Sequence, residues 1–143
     1  MSFLSFLFGD NEKPPPDPYW QRDPSQKFYR LIAIRPGRPK LAGLGGVIVV
    51  FHKGVKPGWV YVGAARDLGQ AVETLQYHTE VSQYEGRGGL FATWAFIKPE
   101  KRAGVVAYLR GAMKPMVEDA ALDAELGGAP AERAPPIPVQ FPT

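Results

Sequence analysis

The chain contains no cysteine, which excludes disulfides, thiol nucleophiles and cysteine-ligated zinc or iron–sulfur centres. It has no apolar run near the roughly 18 to 20 residues that span a bilayer, so an integral membrane helix is excluded too. Only two histidines are present, His52 and His78, and they do not form a His-Glu-x-x-His pair; both are expected to be non-catalytic. The dinucleotide fingerprint, the phosphate-binding loop with its lysine and hydroxyl residue, and the serine-hydrolase elbow are likewise absent. The glycine-rich LAGLGG at 41–46 lacks a following lysine and polar helix start, so it is expected to let strands approach and not to cradle an anion. No cofactor, metal site or catalytic residue is expected from these patterns.

What is present suffices for one compact domain: 143 residues, 45% of them hydrophobic and 12% aromatic. The formal charge of +3 conceals a strong division. Residues 1–25 carry 2 basic and 4 acidic groups, residues 26–116 carry 14 and 5, and residues 117–143 carry 1 and 5. The middle is therefore net +9 between two acidic ends. Such a field attracts nucleic acid, an anionic membrane surface or an acidic protein. The division reads as an apolar start and proline-rich linker over 1–25, a basic domain over 26–116, an acidic helix over 117–128 and a proline-rich tail over 129–143.

The opening MSFLSFLFGD lacks the basic start, cleavage site and length of a secretion signal. A cytoplasmic protein is expected, associated with an assembly or with a membrane surface through this sticky segment. Phe3, Phe6 and Leu7 either pack on their own domain, anchor in a partner groove or insert at a membrane interface. In the linker, five prolines favour an extended path, and Tyr19 and Trp20 either cover the domain or touch a partner. The tail GGAPAERAPPIPVQFPT also holds five prolines, which exclude a regular helix or central strand and predict a disordered or extended segment. Its Ile137, Val139 and Phe141 leave open a docking segment that orders on binding.

Between the arms, KFYRLIAIR predicts a first strand ending near Arg35, followed by the PGRP turn. VIVVF and WVYVG, separated by glycine and proline, predict a buried hairpin. Asp67 predicts the cap of a helix over LGQAVETLQYHTEVSQY, with Leu68, Val72, Leu75 and Thr79 on its inner face. LFATWAFIK predicts a strand, and Pro99 opens a helix whose buried stripe is Val105, Val106, Leu109 and Met113. Pro115 ends it before an acidic helix, MVEDAALDAEL. The expected class is α+β: a small twisted, mainly antiparallel sheet flanked by helices, with extended terminal arms.

This order, GVIVVF, WVYVG, ARDL, a helix ending near His78, a strand and a helix reaching LRGAMKP, resembles the GIY-YIG nuclease-type domain over roughly residues 28–115. Gly46, Val47 and Ile48 fall on the first signature, and Tyr61, Val62 and Gly63 on the second, continued by Arg66, Asp67 and Leu68. The resemblance implies nucleic-acid binding and metal-assisted phosphodiester cleavage through tyrosines, an arginine and a metal-holding glutamate. Here the first tyrosine position is Ile48, the arginine position is Ala71 and the glutamate position is Val106. Isoleucine, alanine and valine cannot transfer protons, clamp phosphate or hold a metal, so the ordinary mechanism is not expected. A displaced set using Arg66, Arg102, Glu73 or His78 is the remaining nuclease reading.

The expected function is therefore a non-catalytic interaction or adaptor protein that binds a protein partner or larger assembly. Its partner contacts would come from Phe3, Phe6, Leu7, Tyr19, Trp20, Ile137 and Phe141. The alternative is a DNA- or RNA-binding module without cleavage, with phosphate contacts drawn from Arg35, Arg38, Lys40, Tyr61, Arg66, Lys98, Lys101, Arg102, Arg110 and Lys114.

Overall fold

The computed structural model describes residues 14–54, 57–128 and 133–143. Four antiparallel strands form one sheet in the order β1-β4-β2-β3: β1 (Tyr29–Arg30), β2 (Gly46–His52), β3 (Gly58–Ala65) and β4 (Leu90–Ala95). Among the described residues, four α-helices pack around it: α1 (Leu68–Tyr77), α2 (Thr79–Ser82), α3 (Pro99–Met113) and α4 (Ala120–Leu126). The architecture is α+β.

Both faces of the sheet are covered, which explains why VIVVF shows no apolar–polar alternation. Ile48, Val50 and Trp94 point into one core with Leu68, Val72 and Leu75 of α1 and Leu122 and Leu126 of α4. Val47, Val49 and Val62 point into the other, against Val105, Val106, Leu109 and Met113 of α3. The β2–β3 hairpin pairs Val50 with Tyr61 and then Phe51 with Trp59, so Val60 is a bulge. That extra residue shifts the phase, and Val60 and Tyr61 both enter the same core although they are adjacent in sequence. Gly63 makes room for Tyr61 two residues away on the same face, because a Cβ there would collide with the phenol ring.

Several expectations are corrected. The first strand is two residues long; Leu31–Ala33 turn into a 3-10 helix, leaving Ile32 exposed. Gln76 of α1 explains the departure, since its Nε2 donates to the carbonyls of both Leu31 and Ile34, at 2.8 and 2.7 Å, and draws the segment off the sheet. The long helix predicted from Leu68 breaks at His78, whose backbone is extended, and Thr79 is exposed. His78 both ends α1 and caps α2: its Nδ1 accepts from the Val81 N–H at 3.3 Å. β4 stops at Ala95, three residues before the predicted end. The acidic helix starts at Ala120, because the Asp119 carboxylate accepts from the Leu122 N–H and sets its first turn. Its Leu122 and Leu126, with Val117, belong to the same core as α1, so the acidic segment completes the basic domain.

The arms are ordered against the domain where described. Gln21 N–H donates to the Trp94 carbonyl at 2.9 Å, while Thr93 Oγ1 donates to the Gln21 carbonyl at 2.7 Å. The linker thereby covers the edge of β4 that the short β1 leaves open. The tail crosses α3, with Val139 buried and Ile137 N–H donating to the Gly104 carbonyl.

Candidate functional site

The hairpin, its following helix and the β4–α3 junction meet at one end of the sheet. Gly46 opposes Ala65 across the hairpin, and Val47 opposes Ala95 on the other side. Leu44 accepts a 2.7 Å hydrogen bond from the Leu68 N–H, which ties the glycine-rich loop to the start of α1. Phe96 follows β4 directly beside Gly46, where a Cβ would lie 3.3 Å from the Phe96 Cα. Leu44 and Phe96 are 43% and 49% exposed, an apolar pair left in solvent at the end of an otherwise closed sheet.

Several basic residues belong to the elements that meet at this end. Lys98 occupies the N-cap of α3 and Lys101 lies in its first turn, both exposed. Arg102 donates its Nε to the Ile97 carbonyl at 2.7 Å and lays its guanidinium against Gly45, where any side chain would displace it. Arg66 ends the hairpin, and its side chain passes over Gly127 at the C-terminus of α4. The loop bearing Arg35, Arg38 and Lys40 borders Asp67 and Gly69 at the start of α1, and all three basic side chains are exposed. Asp67 is engaged as the α1 cap, its Oδ1 accepting from the Gln70 N–H at 3.2 Å, and Glu100 is the acidic group in the first turn of α3. Basic groups therefore outnumber acidic ones on this end of the molecule.

Three of the expected phosphate contacts lie elsewhere. Tyr61 is fully buried, and its hydroxyl donates to Asp123 Oδ1 at 2.6 Å. Burial first, and then the bond to the Asp123 carboxylate, push the Tyr61 phenol well above the usual tyrosine range. Arg110 is engaged twice over: Nη2 and Nη1 donate to the two Asp123 oxygens at 2.7 and 3.1 Å, while Nε and Nη2 donate to the Val62 carbonyl. These groups tie β3, α3 and α4 together. Lys114 terminates α3 in a left-handed conformation, a helix length away from Lys98.

The expected partner-binding residues also separate. Phe3, Phe6 and Leu7 lie outside the described residues. Trp20 and Ile137 pack on the α3 core of their own domain, and the Trp20 Nε1–H donates to the Gln140 carbonyl at 2.7 Å. Phe141 rests near the Tyr108 ring, with centroids 6.2 Å apart, and Tyr19 is 75% exposed.

The positions aligned with the nuclease resemblance do not face a common cleft. Ile48, Tyr61 and Ala71 lie in the core under α1, whereas Val106 lies in the core on the opposite side of the sheet. His52 stacks on Tyr84 and accepts from the Gly54 N–H. His78 and Glu73 line an open concavity with Glu80 and Glu125, away from Arg102. His78 Nε2 meets Asp119 Oδ2 at 3.0 Å, and because Nδ1 accepts from Val81, Nε2 is the protonated nitrogen of the neutral ring. Among the described residues, no three His, Asp or Glu side chains converge on a metal-sized site. No helix among them is long and apolar enough to cross a membrane.

Sequence reasoning missed the His78–Asp119 link, the Asp123 hub and the exposed Leu44–Phe96 pair. Only Asp119 carried a readable signal, an acidic residue immediately before an alanine–leucine helix. Comparisons with family models, with curated proteins and with solved structures each find no match to this chain.

Proposed function

We propose that this chain is a non-catalytic nucleic-acid-binding module that holds phosphates with the basic end of its sheet. The observation that carries the reading is that exposed Lys98 and Lys101 at the start of α3, with Arg102 lying against Gly45, share one end of the sheet with the exposed Leu44 and Phe96. Phosphate contacts of this kind position a backbone without reading sequence, and an exposed aromatic ring offers a stacking face to an unpaired base. The ligand is therefore DNA or RNA with single-stranded character, bound without sequence preference.

The order of hairpin, capped helix, strand and helix supports a GIY-YIG-like scaffold. Within that reading the catalytic positions have been converted to core: Ile48, Ala71 and Val106 are buried apolar groups. A fold outlasts its chemistry when the packing is kept and the reactive groups are replaced. The adaptor reading through the arms retains Tyr19 and Phe141 as exposed contacts, while Trp20 and Ile137 are engaged within the molecule.

Fluorescence anisotropy with labelled single-stranded DNA and RNA tests the proposal. Affinity should fall steeply between about 50 and 200 mM salt, with a log–log slope of roughly −0.7 per phosphate neutralised. Lys98→Glu with Lys101→Glu should abolish binding, and no product should form with magnesium or manganese. Salt-independent binding, or cleavage, would refute it.

A further inference from the structure

The tail does more than fill space: it is seated on the outer face of α3 in the manner of a bound peptide. Residues 135–142 read PPIPVQFP, a sequence preset toward the extended polyproline conformation. Four features of the seat match such a segment. Gly104 provides a bare stretch of helix, where a Cβ would lie 2.6 Å from Ile137 and 2.8 Å from the Pro135 carbonyl. The Gly104 carbonyl receives the Ile137 N–H at 3.0 Å. The Trp20 indole donates to the Gln140 carbonyl, and the Pro16 carbonyl receives the Gln140 N–H at 3.0 Å. Val139 supplies the apolar anchor against the α3 core. An aromatic wall with an indole N–H aimed at a carbonyl of an extended, proline-rich segment is a recurrent means of peptide recognition.

We infer that this groove is a binding site for extended proline-rich peptides of the pattern Pro-Ile-Pro-Val-x-Phe, occupied in the isolated chain by its own tail. The wall that reads the peptide comes from the linker, which is also held to the sheet next to Trp20, at Gln21, by bonds to Trp94 and Thr93 that do not involve the tail. Departure of the tail therefore leaves Trp20 and the Gly104 gap in place for a partner's segment. Tethering gives the tail an effective concentration on the order of millimolar, so a peptide from another chain must overcome that local competitor. The tail thus acts as a built-in inhibitor, and a partner wins by higher affinity or by multiple copies. The contacts that seat the tail are made by Gly104, Trp20 and Pro16 and not by Lys98 or Lys101.

The test uses the full chain and a fluorescent peptide of sequence PPIPVQFPT. Val139→Asp removes the tail's anchor and leaves the groove untouched; the variant should bind the free peptide at least tenfold more tightly than the wild type does. Adding Gly104→Val to Val139→Asp should abolish that binding, and a peptide with its prolines replaced by alanine should bind at least tenfold more weakly. Equal affinity of Val139→Asp and wild type, with circular dichroism showing a folded variant, overturns the inference. Should Val139→Asp not fold, the wild type decides by NMR: millimolar peptide should shift the Trp20 indole N–H signal, and an unmoved signal overturns the inference.

Discussion

Tyr61, Arg110 and Asp123 show how a single carboxylate can organise three elements. Arg110 and Asp123 are each about a fifth exposed, which limits their desolvation cost while keeping their geometry fixed. Arg110→Ala leaves the carboxylate without its counter-charge and the Val62 carbonyl without its donors. We expect a loss of about 3 kcal/mol in urea unfolding. The raised Tyr61 pKa has a definite sign: its stabilising contribution is complete below the unfolded value, about pH 10, and is lost as pH rises beyond it. Alkaline unfolding followed by circular dichroism should accordingly be shallower above about pH 10 in Tyr61→Phe than in the wild type. Asp119 behaves in the opposite sense, because the Leu122 N–H and then His78 hold its carboxyl below the ordinary value. Its contribution is present above about pH 4 and lost as pH falls further, so the melting temperatures of wild type and Asp119→Asn should converge in acid. The Tyr61–Asp123–Arg110 contacts were not legible in the sequence, since Tyr61 and Asp123 are separated by 62 positions and only the packing of α4 on β3 brings them together.

At the scale of elements, local chemistry was a good guide wherever it acted alone. The Asp67 cap, the β2–β3 hairpin, the Pro99 start and the buried stripe of α3 all follow from residue type and spacing. Asp67→Ala should destabilise the fold by about 1 kcal/mol in thermal or urea unfolding, with the loss expressed as fraying of α1. The misreadings fall where a side chain takes over a backbone. Gln76 turns the predicted first strand into a 3-10 helix, and the His78 side chain converts the middle of a predicted helix into the junction of two. The bulge at Val60 has a different cause, a register shift: alternation along WVYV places Val60 and Tyr61 on opposite faces, whereas pairing of Tyr61 with Val50 and Trp59 with Phe51 puts both in one core.

At the scale of the whole molecule, charge segregation along the sequence becomes segregation in space only in part. The acidic segment from 117 folds into the basic domain, where Asp123 neutralises Arg110 and Asp119 meets His78. What remains available is the sheet end, assembled from the hairpin terminus, the glycine-rich loop and the start of α3. The excess of basic residues was readable from composition, but which side chains stay exposed was not: Tyr61 and Arg110 belong to the interior network, and Leu44 and Phe96 gave no sign of exposure. Nucleic-acid binding at the sheet end is tested most directly by anisotropy of labelled single-stranded DNA and RNA across a salt series, comparing the wild type with Lys98→Glu/Lys101→Glu. Binding should weaken steeply with salt and disappear in the variant. Binding retained by the variant, or no binding by the wild type at about 50 mM salt, contradicts it.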